Sequence, residues 1–296
     1  MTISTASHIG FSDESDQNTG RYHSISFLSM KCADSYGIES EIGAVIREKT
    51  SSEFKWSEVR SDKHFKIAME VSNICFKNIE SGRLRVDVLI WDTEDRRHSI
   101  IGRNDNENFQ KMYIHIVKNV LHMRWASTTT WKLHPDQKDD MDWVHFENIL
   151  KKIDIIKKRG GPLLSDTFMP LSENAIRSVE PLKSNDKFLL QAADLFAGVG
   201  VYSYKCIKEY CIWKNNNPPQ ATLFSLNEES TPKLNSAIKV KSQIMSHILT
   251  ESEKRCLGAK LVPNVGIQTK NPNTPLNFWL YNSVRSNDYA PIRVKK

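Results

Sequence analysis

Hydrophobic and polar positions along the chain follow two rhythms, one of period two and one close to 3.6. Residues His8–Asp13 alternate, with Ile9, Phe11 and Asp13 on one face, which is the pattern of a strand whose last inward position is a carboxylate. Arg21–Cys32 reads as a second strand, and the turn chemistry of residues 16–20 makes the two an antiparallel hairpin. A third strand is expected within 42–57. Asp62–Ile79 sets Phe65, Met69, Phe76 and Ile79 at helical spacing before a Ser81-Gly82 stop. Leu84–Asp92 is the clearest strand, with Leu84, Val86, Val88 and Ile90 on a face that ends in Asp92. Phe109 to Leu121 marks a long amphipathic helix, and Thr128–Leu133 a strand closing on His134, Pro135 and Asp136. A helix over Phe146–Ile156 follows, with Lys157, Lys158 and Arg159 placed to suit its dipole. Ser184 to Asp186 offers an N-cap for a last apolar helix reaching Tyr204.

Antiparallel strands followed by alternating helix and strand predict an α/β fold, a mixed sheet flanked by helices. The expected division is a catalytic core over 1–212, a linker over 213–233 rich in Asn and Pro, and a helical, basic extension over 234–296. Charge supports that division. Residues 1–231 hold 30 Lys and Arg against 32 Asp and Glu, whereas residues 232–296 hold 11 against 3. Such a tail suggests a polyanionic partner, although solvated lysines on a helical face give the same count.

With 39% hydrophobic and 26% charged residues the 296-residue chain has the composition of an ordinary globular protein. No stretch reads as a membrane span, and the N-terminus has no basic segment leading into an apolar run. Five cysteines, at 32, 75, 206, 211 and 256, form no CxxC pair, which suits a reducing, cytoplasmic setting. The histidines have no zinc spacing, and neither a phosphate-cradling glycine loop nor a serine elbow is present.

Candidate chemistry is concentrated in the late helix. It is apolar almost all round, yet Lys187, Gln191, Asp194 and Gly198 share one stripe, which Gly198 is expected to leave open. A carboxylate on a helix built for burial is costly unless paired with a cation. A neighbouring Lys or Arg is the competing explanation for Asp194. Asp13, Asp92 and Asp136 each follow a hydrophobic strand, and Glu14 adjoins the first. Any one of them alone suits a turn or cap. Gathered at one sheet edge opposite Asp194, they would form an all-oxygen cluster suited to Mg²⁺ or Mn²⁺.

On three motifs the chain resembles the domain-of-unknown-function family numbered 3800, which is placed with the ribonuclease H-like fold. These are Phe11-Ser12-Asp13-Glu14-Ser15, Glu53-Phe54-Lys55-Trp56, and the run from Leu190 through Gln191 and Asp194 to Gly198. With the strands between them the likeness covers about residues 8–205. It departs at Asp16, where the family usually has glycine. The resemblance implies a ribonuclease H-like sheet and a metal-dependent nuclease site, with Asp13, Glu53 and Asp194 matching motif acids and Asp92 and Asp136 matching less distinctly. It also implies a setting in phage defence or a mobile element. Two-metal hydrolysis of DNA or RNA would have Asp13 bridging ions roughly 3.5–4 Å apart, with Asp194 and one or two of Glu53, Asp92 and Asp136 completing the shells. Lys55 is a candidate phosphate contact or a partner for Glu53, and Trp56 is expected to pack. The alternative is a catalytically silent module of the same fold that binds nucleic acid or a partner protein. In a third reading the C-terminal extension serves docking or homo-oligomerisation.

Overall fold

The computed structural model describes residues 6–15, 20–95, 104–126, 128–158, 175–217 and 234–281. Alternation at the start becomes two paired strands, β1 (His8–Ser15) and β2 (Tyr22–Lys31), antiparallel in a register that sets Asp13 opposite Ser26. Their connecting turn, the end of the 213–233 stretch, and Arg159 with its glycines fall outside the described residues. After β2 come helices α1 (Cys32–Lys49) and α2 (Asp62–Glu80), then strand β3 (Leu84–Asp92). Gly82, at φ +68°, supplies the left-handed turn between α2 and β3. Next are α3 (Asp105–Met123), β4 (Trp131–Pro135), α4 (Trp143–Lys158), β5 (Ile176–Val179), α5 (Phe188–Lys205) and α6 (Ile207–Asn216). The C-terminal part adds α7 (Ser236–Lys254) and strands β6 (Ala259–Val262), β7 (Gly266–Thr269) and β8 (Leu276–Leu280).

Six strands form the main sheet in the order β5-β4-β1-β2-β3-β8, with β2 alone running against the rest. Each face carries its own core. Phe11, Leu28, Val86, Val88 and Ile90 meet α1, α2, α5 and α7 on one side. Ile25, Phe27, Leu89 and Trp91 meet α3 and α4 on the other. The expected mixed sheet between helices is therefore present. Among the described residues no helix is long and apolar enough to cross a membrane.

Two expectations are overturned. The strand placed within 42–57 is the second half of α1, followed by a loop and a 3-10 turn at Trp56–Glu58, because Ile38, Ile42 and Ile46 recur every fourth residue and are all buried. The C-terminal segment is no appended helical extension. Ile244, Met245 and Ile248 of α7 enter the first core, and β8 pairs in parallel with β3. Residues before 213 and after 234 thus share one sheet and one core, while 213–216 end α6 rather than opening a linker.

Candidate functional site

Strand β1 lies third in the sheet, and its inward face runs Ile9, Phe11, Asp13 beneath α5. Asp13 is only 7% exposed. Burial pushes its carboxyl well above the usual range, and the charges of Asp194, Glu14 and Asp136 push it further; the Glu14 N–H, 2.7 Å from Oδ1, pulls the other way. Asp194, on the face of α5 turned toward β1, is raised to about 7 by burial, with Glu53 and Asp136 adding to the effect. The Trp56 N–H, 2.6 Å from its Oδ2, and the charge of Lys55 oppose that rise. Asp136 is also raised, first by burial and then by Glu53, against hydrogen bonds from Gln137 and Ser184. Five acids from four separate parts of the chain therefore feel one another.

Cations meet only the rim of this group. Lys55 pairs with Glu53 at 3.2 Å, and Lys138 pairs with Glu14 at 3.1 Å. Burial raises Glu14 while Lys138 restrains it. Among the described residues neither Asp13 nor Asp194 forms an ion pair, so the competing explanation of Asp194 as half of a buried salt bridge does not hold. Two neighbouring carboxylates with no ion-pair partner of their own favour protonation or a bound cation.

The stripe on α5 assembles the site. Gln191 accepts the Phe54 N–H at 2.9 Å and donates to the Ser184 carbonyl at 2.9 Å, clasping the segment that carries Glu53 and the turn beside Asp136. Three residues on, Asp194 takes the Trp56 N–H. Gly198 is not an opening: a Cβ there would lie 2.0 Å from the Trp56 ring, so the missing side chain lets the indole pack flat on the helix. Trp56 is 4% exposed, and it packs as expected. Ser184 does not cap α5. It opens a 3-10 turn, and the N-terminus of α5 is capped by Glu39 of α1, whose carboxylate accepts from the N–H groups of Phe188 and Leu189 at 2.9 Å each.

Asp92 is not brought to the group. Its carboxylate is held by Arg21, with Nε at 3.0 Å from both oxygens and Nη2 at 2.7 Å. Asp13 is level with Val88, four residues short of Asp92 and two strands away, which separates them by about 16 Å at sheet spacings. Lys138 and Glu39 escape sequence reasoning. Lys138 lies beyond a strand end with no periodicity to mark it, and Glu39 caps a helix 149 residues away.

Asp13, Asp194, Asp136 and Glu53 offer only oxygen donors, which fits a hard divalent cation and excludes a soft-metal site here. Among the described residues no three Asp, Glu, His or Cys side chains converge as they stand into a group able to hold one ion. Mg²⁺ does not require such a cage, since it keeps several waters and binds through one or two carboxylates and substrate phosphates.

No family model matches the chain. An uncharacterized protein of Methanothermobacter thermautotrophicus, ORF2′, is 33% identical over 96% of this chain and 97% of its own length. A second from the same organism, ORF2, is 31% identical over the same shares. With near-complete coverage of both partners, this chain belongs to the same protein family as ORF2′ and ORF2.

Proposed function

We propose that the chain is a metal-dependent nuclease with a ribonuclease H-like core, acting on phosphodiester bonds of DNA or RNA. One observation carries this reading. Asp13, buried on an interior strand, and Asp194, half-buried on the helix laid over it, form no ion pair among the described residues, and both are raised by burial and by the charges of neighbouring acids, Asp136 among them. The order of the first five strands, 3-2-1-4-5 with only the second reversed, supports the fold assignment. The resemblance to family 3800, with its setting in defence or mobile elements, belongs to the same proposal.

In this reading Asp13 and Asp194 hold Mg²⁺ or Mn²⁺, and Asp136 and Glu53 complete the negative field. When bound, the ion would activate water and stabilise the departing oxygen. Gln191 keeps Glu53 and the Ser184 turn in place around it. The Trp56 N–H holds one oxygen of Asp194 in place. Lys55 and Lys138 restrain the outer acids, and their release toward a substrate phosphate would free Glu53 and Glu14.

Cleavage of labelled DNA and RNA in Mg²⁺ or Mn²⁺ tests the reading. Activity should vanish with Asp13→Asn and with Asp194→Asn while the fold, read by circular dichroism, persists. Activity that survives both changes would end it. The second reading, a silent module that binds nucleic acid or protein, is favoured by the lack of three converging ligands among the described residues. Binding without cleavage in either metal would establish it instead.

A further inference from the structure

Asp13 stands in a row of residues that crosses the sheet: Asp13 on β1, Ser26 directly opposite it on β2, and Val88 opposite Ser26 on β3. Directly opposed residues of antiparallel strands have Cβ atoms about 4.5–5.5 Å apart, so Ser26 is an immediate neighbour of Asp13 on the same face. Alternation along β2 fixes which face that is. Leu28 and Met30 enter the core shared with α5, and Ser24, two residues before Ser26, donates from Oγ to the Ala197 carbonyl of α5 at 2.7 Å. Ser26 therefore lies on the side of the sheet that α5 covers, beside the acid that faces Asp194.

Ser26 is fully buried, and its hydroxyl has no hydrogen-bond partner among the described residues. Eight serines are buried among those residues, and each of the other seven has a partner for its Oγ. An unpaired hydroxyl in a core carries a cost that alanine would avoid in the same space. Val88 on one side of Ser26 has no polar group to offer it, whereas Asp13 on the other side belongs to the acid group. Packing does not account for this oxygen; the acids do. A hydroxyl is a hard donor of the kind that Mg²⁺ and Mn²⁺ accept. The lack of three converging side chains among the described residues concerns Asp, Glu, His and Cys alone. A serine beside two carboxylates adds a third oxygen without adding a third charge to a buried place.

We infer that Ser26 is a neutral ligand of the cation held by Asp13 and Asp194, its Oγ supplying an oxygen on the β2 side of Asp13. The inference rests on the reading of those two acids as cation ligands. In this role the cost of burying the hydroxyl is offset by the bound ion, which ties ion affinity to an oxygen on which the fold itself does not depend.

The test measures Mn²⁺ binding to the full chain, through the electron paramagnetic resonance signal of the free ion, for the parent, Asp13→Asn, Ser26→Ala and Ser26→Cys. Ser26→Ala should weaken Mn²⁺ binding roughly 10-fold. Its Tm in EDTA should equal or exceed that of the parent, because the deleted hydroxyl had no partner. Ser26→Cys should take Cd²⁺ ahead of Mn²⁺ and show an ultraviolet thiolate-to-cadmium band beyond that of the five cysteines already present, lost when Asp13→Asn is added. Ser26→Ala with the Mn²⁺ affinity of the parent would overturn the assignment. So would a clearly lower Tm of Ser26→Ala in EDTA, which marks a purely structural serine, or a Ser26→Cys protein without the added cadmium band. The underlying reading is scored by Asp13→Asn. If that variant binds Mn²⁺ like the parent, the cation reading falls and Ser26 with it; if it loses the ion while Ser26→Ala keeps it, Ser26 falls alone. Ser26-dependent binding by a chain that cuts neither DNA nor RNA keeps the ligand and removes the nuclease reading.

Discussion

Replacing Asp194 by Asn should make the metal-free protein more stable at pH 8 and leave it unchanged near pH 4. In the unfolded chain this carboxyl gives up its proton near 3.8, whereas in the folded chain it holds it to about 7. Between those values the native state binds the extra proton, so stability falls as pH rises through the interval and the full penalty stands above 7. The difference corresponds to about 4 kcal/mol at 1.36 kcal/mol per pH unit. Relaxation of the partly open site should reduce it, so a gain of about 2–4 kcal/mol for the variant at pH 8 is expected, a rise in Tm of about 5–10 °C. Asn can still accept the Trp56 N–H, so the comparison isolates the charge. Thermal denaturation of both proteins in EDTA, at intervals from pH 4 to 8, reads the effect. Saturating Mn²⁺ should close the gap from the other side, raising the Tm of the parent at pH 8 and leaving that of the variant unmoved. A pH-independent gap, or a variant less stable than its parent at pH 8, would refute the account of Asp194 as a carboxylate whose charge the folded state disfavours.

Two further changes probe how the site is assembled. Gly198→Ala drives a methyl group into the Trp56 indole and should cost about 1–3 kcal/mol in urea denaturation, accompanied by a shift in tryptophan emission; an unperturbed emission spectrum with full stability would contradict the packing described. Gln191→Leu leaves the Phe54 N–H and the Ser184 carbonyl without their side-chain partner, and should cost about 2–4 kcal/mol while loosening the segment around Glu53. Hydrogen exchange at Phe54 measures that loosening, and protection equal to the parent would exclude the clasp.

The two ends of the acid group were legible in the sequence because their helix and strand have strong periods. Alternation through Ile9 and Phe11 turns Asp13 inward, and the near-total apolarity of α5 makes Asp194 conspicuous. The Gln191 and Gly198 positions on the stripe were readable as places, but their partners were not: Phe54 and Trp56 arrive from a loop 137 and 142 positions away in sequence, with no local pattern to announce them. Asp92 shows the limit of face arguments. It lies on the same side of the sheet as Asp13, yet distance along the strands, set by register, removes it from the group and gives it to Arg21. Helix α1 was misread because the segment was divided at residue 42, which cut its Ile38, Ile42, Ile46 stripe in two. Parallel pairing of β8 with β3 leaves no local signal, since neither strand carries a turn that points to the other.

That last pairing governs when the molecule can become itself. Buried Asp87 on β3 is bound by Arg85 at 2.6 and 2.9 Å, but the remaining demands of this pair are met by Asn277 and by the carbonyls of Pro272 and Asn273. All three lie in the segment that leads into and forms β8. Without that segment the pair would keep open valences at the sheet margin, and a half-satisfied buried pair is a destabilising element. The sheet is therefore complete in its polar contacts only when β8 has joined β3.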